Sequence, residues 1–401
     1  MSRRKAFLAG FSAFALLALT GCWDRVEIDK RGFVVGVAID KAKGGQNKDR
    51  SRSPGSLISG TFQFIVPAGL KSSSGSSGRD SNAGRSYFNI GVEESSVAAL
   101  TAKTAARTSR SPYYEHLKLI LISEDIARDD SKFSDALDFF LRGKEMRRDM
   151  HVLIAAGKAR EILNVRPYNE NYPVAYLEST IANTMKTNYM LKSSRLGDIH
   201  EHLLRDQSFT IQLVRKRGDG IALTGAALFD GTEHRLIGEL NGETTQGLNF
   251  LTGQIKGGVI ETAYKNTAIT AELERAVRKI KLTGGDGRRM KFTIAVEAEG
   301  TMVKSVKNLD LNDPAVFRGI ERQFEDEIRR VAGKTLQTLQ HKYKKDVIGL
   351  NRFLYQNHYR AWKRVAPDWE RGANLFAAAD IEVTVRMNIR RIGDINESER
   401  G

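Results

Sequence analysis

The chain has a single cysteine, Cys22, among its 401 residues. No disulfide can therefore form within the chain, and its folded parts must be stabilised by packed apolar cores. This length exceeds what one core usually serves, so we expect two or three consecutive domains. After the N-terminal 21 residues, no run approaches the 18 apolar residues that indicate a membrane-spanning helix.

The N-terminal segment has the pattern of a signal peptide. Three basic residues at 3–5 precede an apolar stretch at 6–19, which is too short to cross a hydrocarbon core of about 30 Å. The stretch ends in LTGC at 19–22, a sequence that resembles the bacterial lipobox. The motif implies that the Cys22 thiol carries diacylglycerol and that cleavage makes Cys22 the acylated first residue. Two acyl chains give stable anchoring; the alternative is an ordinary signal peptide with a chance cysteine.

The chain is strongly basic, with a formal charge of +15. Removal of the three N-terminal cations leaves 15 − 3 = +12 on the mature chain. We do not expect nucleic acid as a partner of an exported lipoprotein. A basic face beside anionic lipid and a solvated basic surface without a partner are both open interpretations.

Residues 22–205 are predicted to form a mixed α/β unit. Runs rich in Val, Ile and Leu predict buried strands at 32–40, 61–66, 117–123 and 151–155. Helix-forming residues predict helices at 93–107, 133–143 and 159–165. Two polar segments, 41–56 and 69–85, are predicted to be flexible hairpin connections because they offer little apolar surface to bury.

Residues 206–393 are predicted to be rich in hairpins. Helices at 173–187 and 195–205 lead into paired strands at 209–216 and 221–229, a strand at 236–240, and a second hairpin at 271–282 and 291–299. Asp313 and Pro314 are a strong helix start. The helix behind them has an apolar stripe, and strict alternation from Ile381 to Ile389 predicts a closing strand with one buried face. The stripe consists of Val316, Phe317, Ile320, Phe324, Ile328, Val331, Leu336, Leu339 and Tyr343.

The sequence lacks the motifs expected of an enzyme. There is no G-x-S-x-G, H-E-x-x-H or G-x-x-x-x-G-K-[ST] sequence and no pair of cysteines for a metal. His200 and His202 are two residues apart, so on a helix they would not share a metal ion. His116 is predicted to be structural, and the glycine-rich segment 284–287 is predicted to be a hairpin turn. We therefore predict no catalytic residues, no metal site and no cofactor.

Several segments resemble the Ger(x)C family, the lipoprotein C-subunits of spore germinant receptors. The resemblance starts at CWDRVE (22–27) and GVAID (36–40) and runs through essentially the whole mature chain. Its landmarks, in order, are YEHLK at 114–118, RD at 148–149, AREIL at 159–163, GAALF at 225–229, LIG at 236–238, LNGETTQG at 240–247, DVIGL at 346–350, Trp362 and the final strand to Gly393.

The resemblance implies a non-enzymatic receptor subunit on the outer face of the spore inner membrane. Its expected partners are two integral-membrane subunits, A and B, together with membrane lipid through Cys22. The implied fold is a series of consecutive mixed α/β domains. The predicted fold class is α+β, with two to three consecutive mixed α/β domains and largely antiparallel hairpin content. The predicted architecture is a signal peptide at 1–21, an N-terminal domain at 22–205, a C-terminal domain at 206–393 that divides near Tyr264, and a tail at 394–401.

Two functional hypotheses are consistent with the residues. One is a lipid-anchored receptor subunit that acts through protein–protein contacts. The other is a lipid-anchored solute-binding protein of a transporter, a class that usually shows repeated βα units in two parallel-sheet lobes. The hairpins and antiparallel patterning favour the receptor subunit. The ligand-binding residues and the germinant are not predicted. Trp23, beside Cys22, suits either the membrane interface or packing on the first strand.

Overall fold

The computed structural model describes residues 27–42, 57–71, 85–285, 289–304 and 313–390. These residues form two β-sheets with helices packed against them. Cys22 and Trp23 lie outside the described residues, as does most of the two polar connections. The mixed α/β class predicted from the sequence is confirmed.

The first sheet has parallel strands at its centre and antiparallel strands on both sides. Its order is β3-β2-β1-β5-β6-β7-β8-β9, with β4 beside β1. β1, β5, β6 and β7 run parallel to one another. The strands are β1 Arg31–Lys41, β2 Ile58–Ile65, β3 Tyr87–Glu94, β4 Ser111–Tyr113, β5 Leu119–Ser123, β6 His151–Ala155, β7 Phe209–Arg217, β8 Gly220–Asp230 and β9 Arg235–Leu240.

Helices cover both faces of this sheet, because its central strands are apolar on both sides. In β1, Val34 and Val37 point into one core, whereas Val35 and Ala38 point into the other. The first core is covered by α2 (Val97–Ala105), α3 (Glu124–Ala127), α4 (Asp130–Arg142) and α7 (Leu196–Leu204), and the second by α5 (Ala159–Leu163) and α6 (Pro173–Ala182). A short helix, α1 (Pro67–Lys71), follows β2.

The second sheet has four strands in the order β10-β11-β12-β13. Its pairs are antiparallel except for β12 and β13, which are parallel. The strands are β10 Val259–Tyr264, β11 Thr267–Gly285, β12 Met290–Lys304 and β13 Asp380–Arg390. The helices of this part are α8 Gly242–Thr252, α9 Pro314–Gln337 with a π-helical end at Thr338–Tyr343, α10 Leu350–Asn357, α11 Tyr359–Val365 and α12 Leu375–Ala378.

The long helix α9 confirms the prediction made from its apolar stripe. The Asp313 side chain accepts a hydrogen bond from the Ala315 N–H at 2.8 Å, and Phe324 at the centre of the stripe is fully buried. Glu325 and Glu321 accept hydrogen bonds from the Met387 and Ile389 N–H groups of β13. The helix therefore covers the edge of the second sheet, whose free N–H groups would otherwise be open to pairing with another chain.

Most predicted strands and helices are confirmed, but several elements and one arrangement were missed. The sequence analysis did not predict β3, β4, β10, α3, α8, α10, α11 or α12. It also began a helix at residue 93, where the structure continues β3 to Glu94. The segment predicted as a flexible connection from residue 69 begins within α1. The parallel centre of the first sheet was also not anticipated. Strand alternation and length do not show whether a buried strand pairs in parallel or antiparallel.

The first sheet extends across the predicted limit at 205, because β7 pairs with β6 of the predicted N-terminal domain and β8 and β9 continue the sheet from β7. The second sheet begins at Val259. One sheet can be shared by two folding units, so the domain limits at 205 and near 264 stay predictions.

Candidate functional site: the polar junction between the two sheets

A cleft of about 400 Å³ lies where the first sheet meets the C-terminal part of the chain. One wall is formed by α7 and the residues before β7, and the other by the end of α8 and the segment after α9. Its lining is mainly polar and includes Asp198, Glu201, His202, Arg278, Asn351 and Arg352.

Parallel strands of the first sheet position this cleft. The β6 residue His151 pairs with Arg195, just before α7, and the Leu196 N–H donates to the Met150 carbonyl at 2.9 Å. β7 runs parallel to β6, so its first residue, Phe209, lies at the same edge of the sheet. The start of α7 and the start of β7 are therefore brought together at one edge.

His202 and His200 take different positions, as expected from their spacing. The His202 ring stacks on Phe209 with centroids 5.4 Å apart and lines the cleft, whereas His200 is not part of the lining. Burial lowers the pKa of His202. Its Nδ1 atom has no hydrogen-bond partner among the described residues. The ring is therefore neutral at pH 7 and serves mainly as a flat packing surface.

Asp346 is the most enclosed charged residue of the junction. Its carboxylate accepts hydrogen bonds from the N–H groups of Gly349, Leu350 and Asn351, at 2.8, 3.1 and 2.6 Å, and from the Trp369 indole N–H at 2.8 Å. Gly349 has a positive φ of 80°, which lets the chain fold back over the carboxylate. Asp346 thus caps α10 and fixes Trp369 in the core, although burial raises its pKa.

Glu370 links Asp346 to the first sheet. One carboxylate oxygen accepts a hydrogen bond from the Asp346 N–H at 2.8 Å, and the other accepts one from the Ser208 hydroxyl at 2.5 Å. Ser208 in turn accepts from the Gly231 N–H at 3.2 Å. Burial, with the nearby Asp346 charge, raises the pKa of Glu370 to about 7.

Lys345 supplies the positive charge of the network. Its Nζ atom lies 2.7 Å from Asp230 at the end of β8 and 3.8 Å from Glu370. Burial alone would raise the pKa of Asp230, but the Lys345 ammonium and two N–H donors hold it below its usual range. Arg278 supports the same segment from β11, with hydrogen bonds to the carbonyls of Leu251 at 2.6 Å and Ile348 at 2.5 Å.

The geometry of this network is that of a structural junction. Its carboxylates accept hydrogen bonds from main-chain N–H groups, an indole, a hydroxyl and an ammonium, so each buried charge is satisfied. Within the described ranges, no cluster of three His, Cys, Asp or Glu side chains could hold a metal ion. No helix in those ranges is long and apolar enough to cross a membrane.

The sequence analysis singled out Asp346 only as part of the segment DVIGL, which resembles the Ger(x)C family. It did not predict the residues that join Asp346 in this network. Ser208, Asp230, Lys345 and Glu370 are polar residues in unrelated parts of the sequence, and only folding brings them together. The one available signal was the position of Asp346 as a lone acidic residue between two lysines, at 344 and 345, and the apolar residues that follow.

Other segments singled out in the sequence also meet in the fold. Asp40 at the end of β1 accepts hydrogen bonds from the N–H groups of Ala159 and Arg160, at 2.7 and 2.9 Å, and so holds the start of α5. A Cβ at Gly36 would come within 2.4 Å of Val174, so α6 packs directly on the strand. His116 is exposed and packs edge-on with Phe33 at 5.2 Å, and its structural role stays a prediction.

The C-terminal segments that resemble the Ger(x)C family also make close contacts in the fold. A Cβ at Gly247 in α8 would lie 2.2 Å from the Thr335 hydroxyl of α9. The Trp362 indole N–H donates to Asn351 at 2.7 Å, beside the Asp346 turn. The predicted hairpin turn at 284–287 does join β11 to β12, although part of it lies outside the described residues.

Comparisons with known proteins identify the family. A model described as "Spore germination protein N-terminal domain" matches residues 24–216, and one described as "Spore germination B3/ GerAC like, C-terminal" matches residues 224–393. The chain belongs to this family of spore germination proteins. The resemblance to the Ger(x)C family seen in the sequence is thereby confirmed, and the solute-binding alternative is not favoured.

Relatives in Bacillus subtilis match over nearly the full length. Spore germination protein YndF is 28% identical over 390 residues, covering 95% of each chain. Spore germination protein B3 is 26% identical, covering 96% of this chain and 97% of its own. The crystal structure of the GerBC protein has the same fold, with a TM-score of 0.58 at 23% identity, over 88% of this chain and 96% of that one.

Proposed function

We propose that this protein is the lipid-anchored, non-enzymatic C-subunit of a spore germinant receptor. The observation that carries the proposal is the consecutive match of both spore germination models across residues 24–216 and 224–393. The subunit acts at the outer face of the spore inner membrane, through contacts with integral-membrane A and B subunits.

Anchoring through Cys22 would place the first sheet close to the membrane. Four residues separate Cys22 from Glu27, the first described residue, and the five residue steps between them span at most about 18 Å in an extended chain. The edge of the sheet at which β1 starts is therefore held near the lipid. Confinement to this thin layer raises the effective concentration of the protein for its membrane partners, so modest contacts can hold the complex together.

A role without catalysis agrees with the chemistry of the junction. Its polar groups are engaged in holding the two sheets together, and its histidine packs as a flat ring. Such a rigid, two-sheet body is suited to present fixed surfaces to partner subunits.

Gene deletion tests the proposal. Spores without this protein should lose their response to one class of nutrient germinant, while germination by non-nutrient routes continues. Copurification from wild-type spore membranes should recover two integral-membrane subunits encoded beside the gene. A normal response to every nutrient after all sister receptors are also deleted would overturn the assignment.

A further inference from the structure

Two exposed tyrosine rings and the partly buried ring of Trp362 form an aromatic cluster on α10 and α11. Tyr355 and Tyr359 are 45% and 55% exposed, and both contact Trp362, with ring centroids 4.9 and 5.4 Å apart. The opposite sides of these helices are held by buried Leu354 and Val365. The rings therefore cover the outer face of the helix pair, which we name the α10–α11 patch.

The helix α11, which carries two of these rings, also carries three cations. Arg360, Lys363 and Arg364 are exposed, and none of them forms an ion pair within the described part of the chain. The sequence has no Asp or Glu between Asp346 and Asp368. The patch thus combines two exposed tyrosine rings that carry O–H groups, both packed on Trp362, with three cations that form no ion pair within the described residues. The Trp362 indole N–H itself is bonded to Asn351.

This combination fits the headgroup region of an anionic membrane. Trp and Tyr rings are enriched there because one end is apolar and the other hydrogen-bonds with water or phosphate. Each Lys or Arg near an anionic lipid surface adds attraction. Aromatic rings also occur at the centres of protein interfaces, but free charge of one sign favours an anionic lipid surface over an apolar protein groove.

The position of the patch agrees with this assignment. The four parallel strands of the first sheet start at one edge, where the described chain also begins at Glu27. α7 starts at the same edge, and its Glu201 lies 4.0 Å from Arg352 of α10. The patch is therefore separated only by the short helix α7 from the edge of the first sheet to which the N-terminal tether would lead.

We infer that the α10–α11 patch is a second membrane contact, which binds anionic phospholipid headgroups independently of any acyl group on Cys22. The inference deepens the proposed function by naming the lipid class that the exported domain meets. Two contacts, a flexible tether and a basic aromatic patch, would limit the rotation of the protein over the membrane and so define which faces point to its partners.

Vesicle binding by the unacylated chain tests this inference. The chain from Trp23 to Gly401, which has no lipid, would be sedimented with vesicles of phosphatidylglycerol and phosphatidylcholine and with vesicles of phosphatidylcholine alone. We expect binding only to the anionic vesicles, weakening as salt is raised. Arg360→Gln/Lys363→Gln/Arg364→Gln should weaken the partition coefficient about 100-fold, since each cation contributes roughly a fivefold factor.

A matched control lies at the opposite end of β7. There, Arg166, Lys216 and Arg217 are exposed near Tyr168, which is 75% exposed. Arg166→Gln/Lys216→Gln/Arg217→Gln removes the same charge and should bind vesicles within about threefold of wild type. A second readout is tryptophan fluorescence in a Trp23→Phe background, which retains Trp362 and the fully buried Trp369. Lipids with brominated chains should quench the Trp362 part of this emission, and the quenching should be lost in a Trp23→Phe/Trp362→Phe variant.

Equal loss in both triple variants would show that only net charge matters and would overturn the assignment of the patch. Binding to neutral vesicles as strong as to anionic ones would also overturn it, as would wild-type binding by the α10–α11 variant. Circular dichroism melts check that each variant is folded. Because the protein carries no acyl chain, failure here leaves the family role and the Cys22 anchor untouched, and those are tested in spores.

Discussion

At the residue scale, the most unusual group is Glu370. Its carboxylate is nearly enclosed between Ser208 and the main chain of Asp346, and its pKa is raised to about 7. A carboxyl group with this pKa is partly protonated near neutral pH. The hydrogen bonds that join the two sheets therefore depend on pH in a range where exposed carboxyl groups remain fully charged.

We predict that Glu370 makes the protein less stable as pH rises from 5 to 8. The folded-state pKa lies above the unfolded value, so the folded state holds the proton more tightly and loses this advantage as pH passes about 7. Relative to Glu370→Gln, wild type should lose about 2–3 kcal/mol of unfolding free energy over this range. Urea unfolding at several pH values measures the difference.

The comparison with Glu370→Gln is needed because other groups titrate in the opposite direction. Burial lowers the pKa of His151 to about 4, so that histidine adds stability as pH rises. Glu382→Gln, at an exposed position of β13, is the control and should run parallel to wild type. Parallel curves for wild type and Glu370→Gln would show that Glu370 titrates like an exposed carboxyl group.

At the scale of elements, the closest helix contact is between α8 and α9. Gly247 lets the two backbones approach so nearly that a Cβ would lie 2.4 Å from the Val331 carbonyl. The Thr335 hydroxyl donates to the Thr244 carbonyl of α8 at 3.0 Å across the same contact. This crossing holds α8, which was not predicted from the sequence, against the best-predicted helix of the chain.

We predict that Gly247→Ala destabilises the protein by about 1–3 kcal/mol, because the added methyl group overpacks the crossing. Gly333→Ala in α9 is the matched control. A Cβ there meets no atom within 4 Å, so alanine should stabilise the helix by up to about 1 kcal/mol. Thermal melts of both variants measure the contrast. Stabilisation by both would mean that α8 and α9 are farther apart than the structure places them.

At the scale of the whole molecule, one polar junction joins the two parts of the structure, and the described chain begins at one edge of the first sheet. Ser208 directly precedes β7 and Asp230 ends β8 of the first sheet, whereas Lys345, Asp346 and Glu370 follow α9. A rigid junction of this kind fixes the relative position of the two parts. A single N-terminal tether would then constrain the whole body at the membrane.

We predict that Cys22 is the sole acylation site. Cys22→Ala should leave an unprocessed precursor that does not incorporate labelled lipid, because the chain has no other cysteine to modify. Metabolic labelling and mass spectrometry of the membrane fraction measure this outcome, with Ser12→Ala inside the apolar stretch as the control that should be processed normally. Lipid-labelled mature protein from the Cys22→Ala gene would show that another residue carries the anchor.

The sequence by itself determined the elements whose signals are local. The cap at Asp313, the apolar stripe through Phe324 and the alternation ending at Ile389 depend only on residues close in the chain, and the structure confirms each of them. The order of the segments that resemble the Ger(x)C family likewise indicated the family from the sequence alone.

Tertiary structure alone decided the parallel centre of the first sheet, the position of α8 and the partners of Asp346. A continuous apolar run fits a buried strand of a parallel sheet as well as one in the core of an antiparallel sandwich, so the hydrophobic pattern does not decide the direction of pairing. By its intrinsic propensity, Gly247 disfavours a helix. Only the packing of α9 against α8 shows why this position has no side chain, since a Cβ there would clash with α9. Ser208 and Glu370 are 162 positions apart, and their hydrogen bond exists only because the fold excludes water from both at the same place.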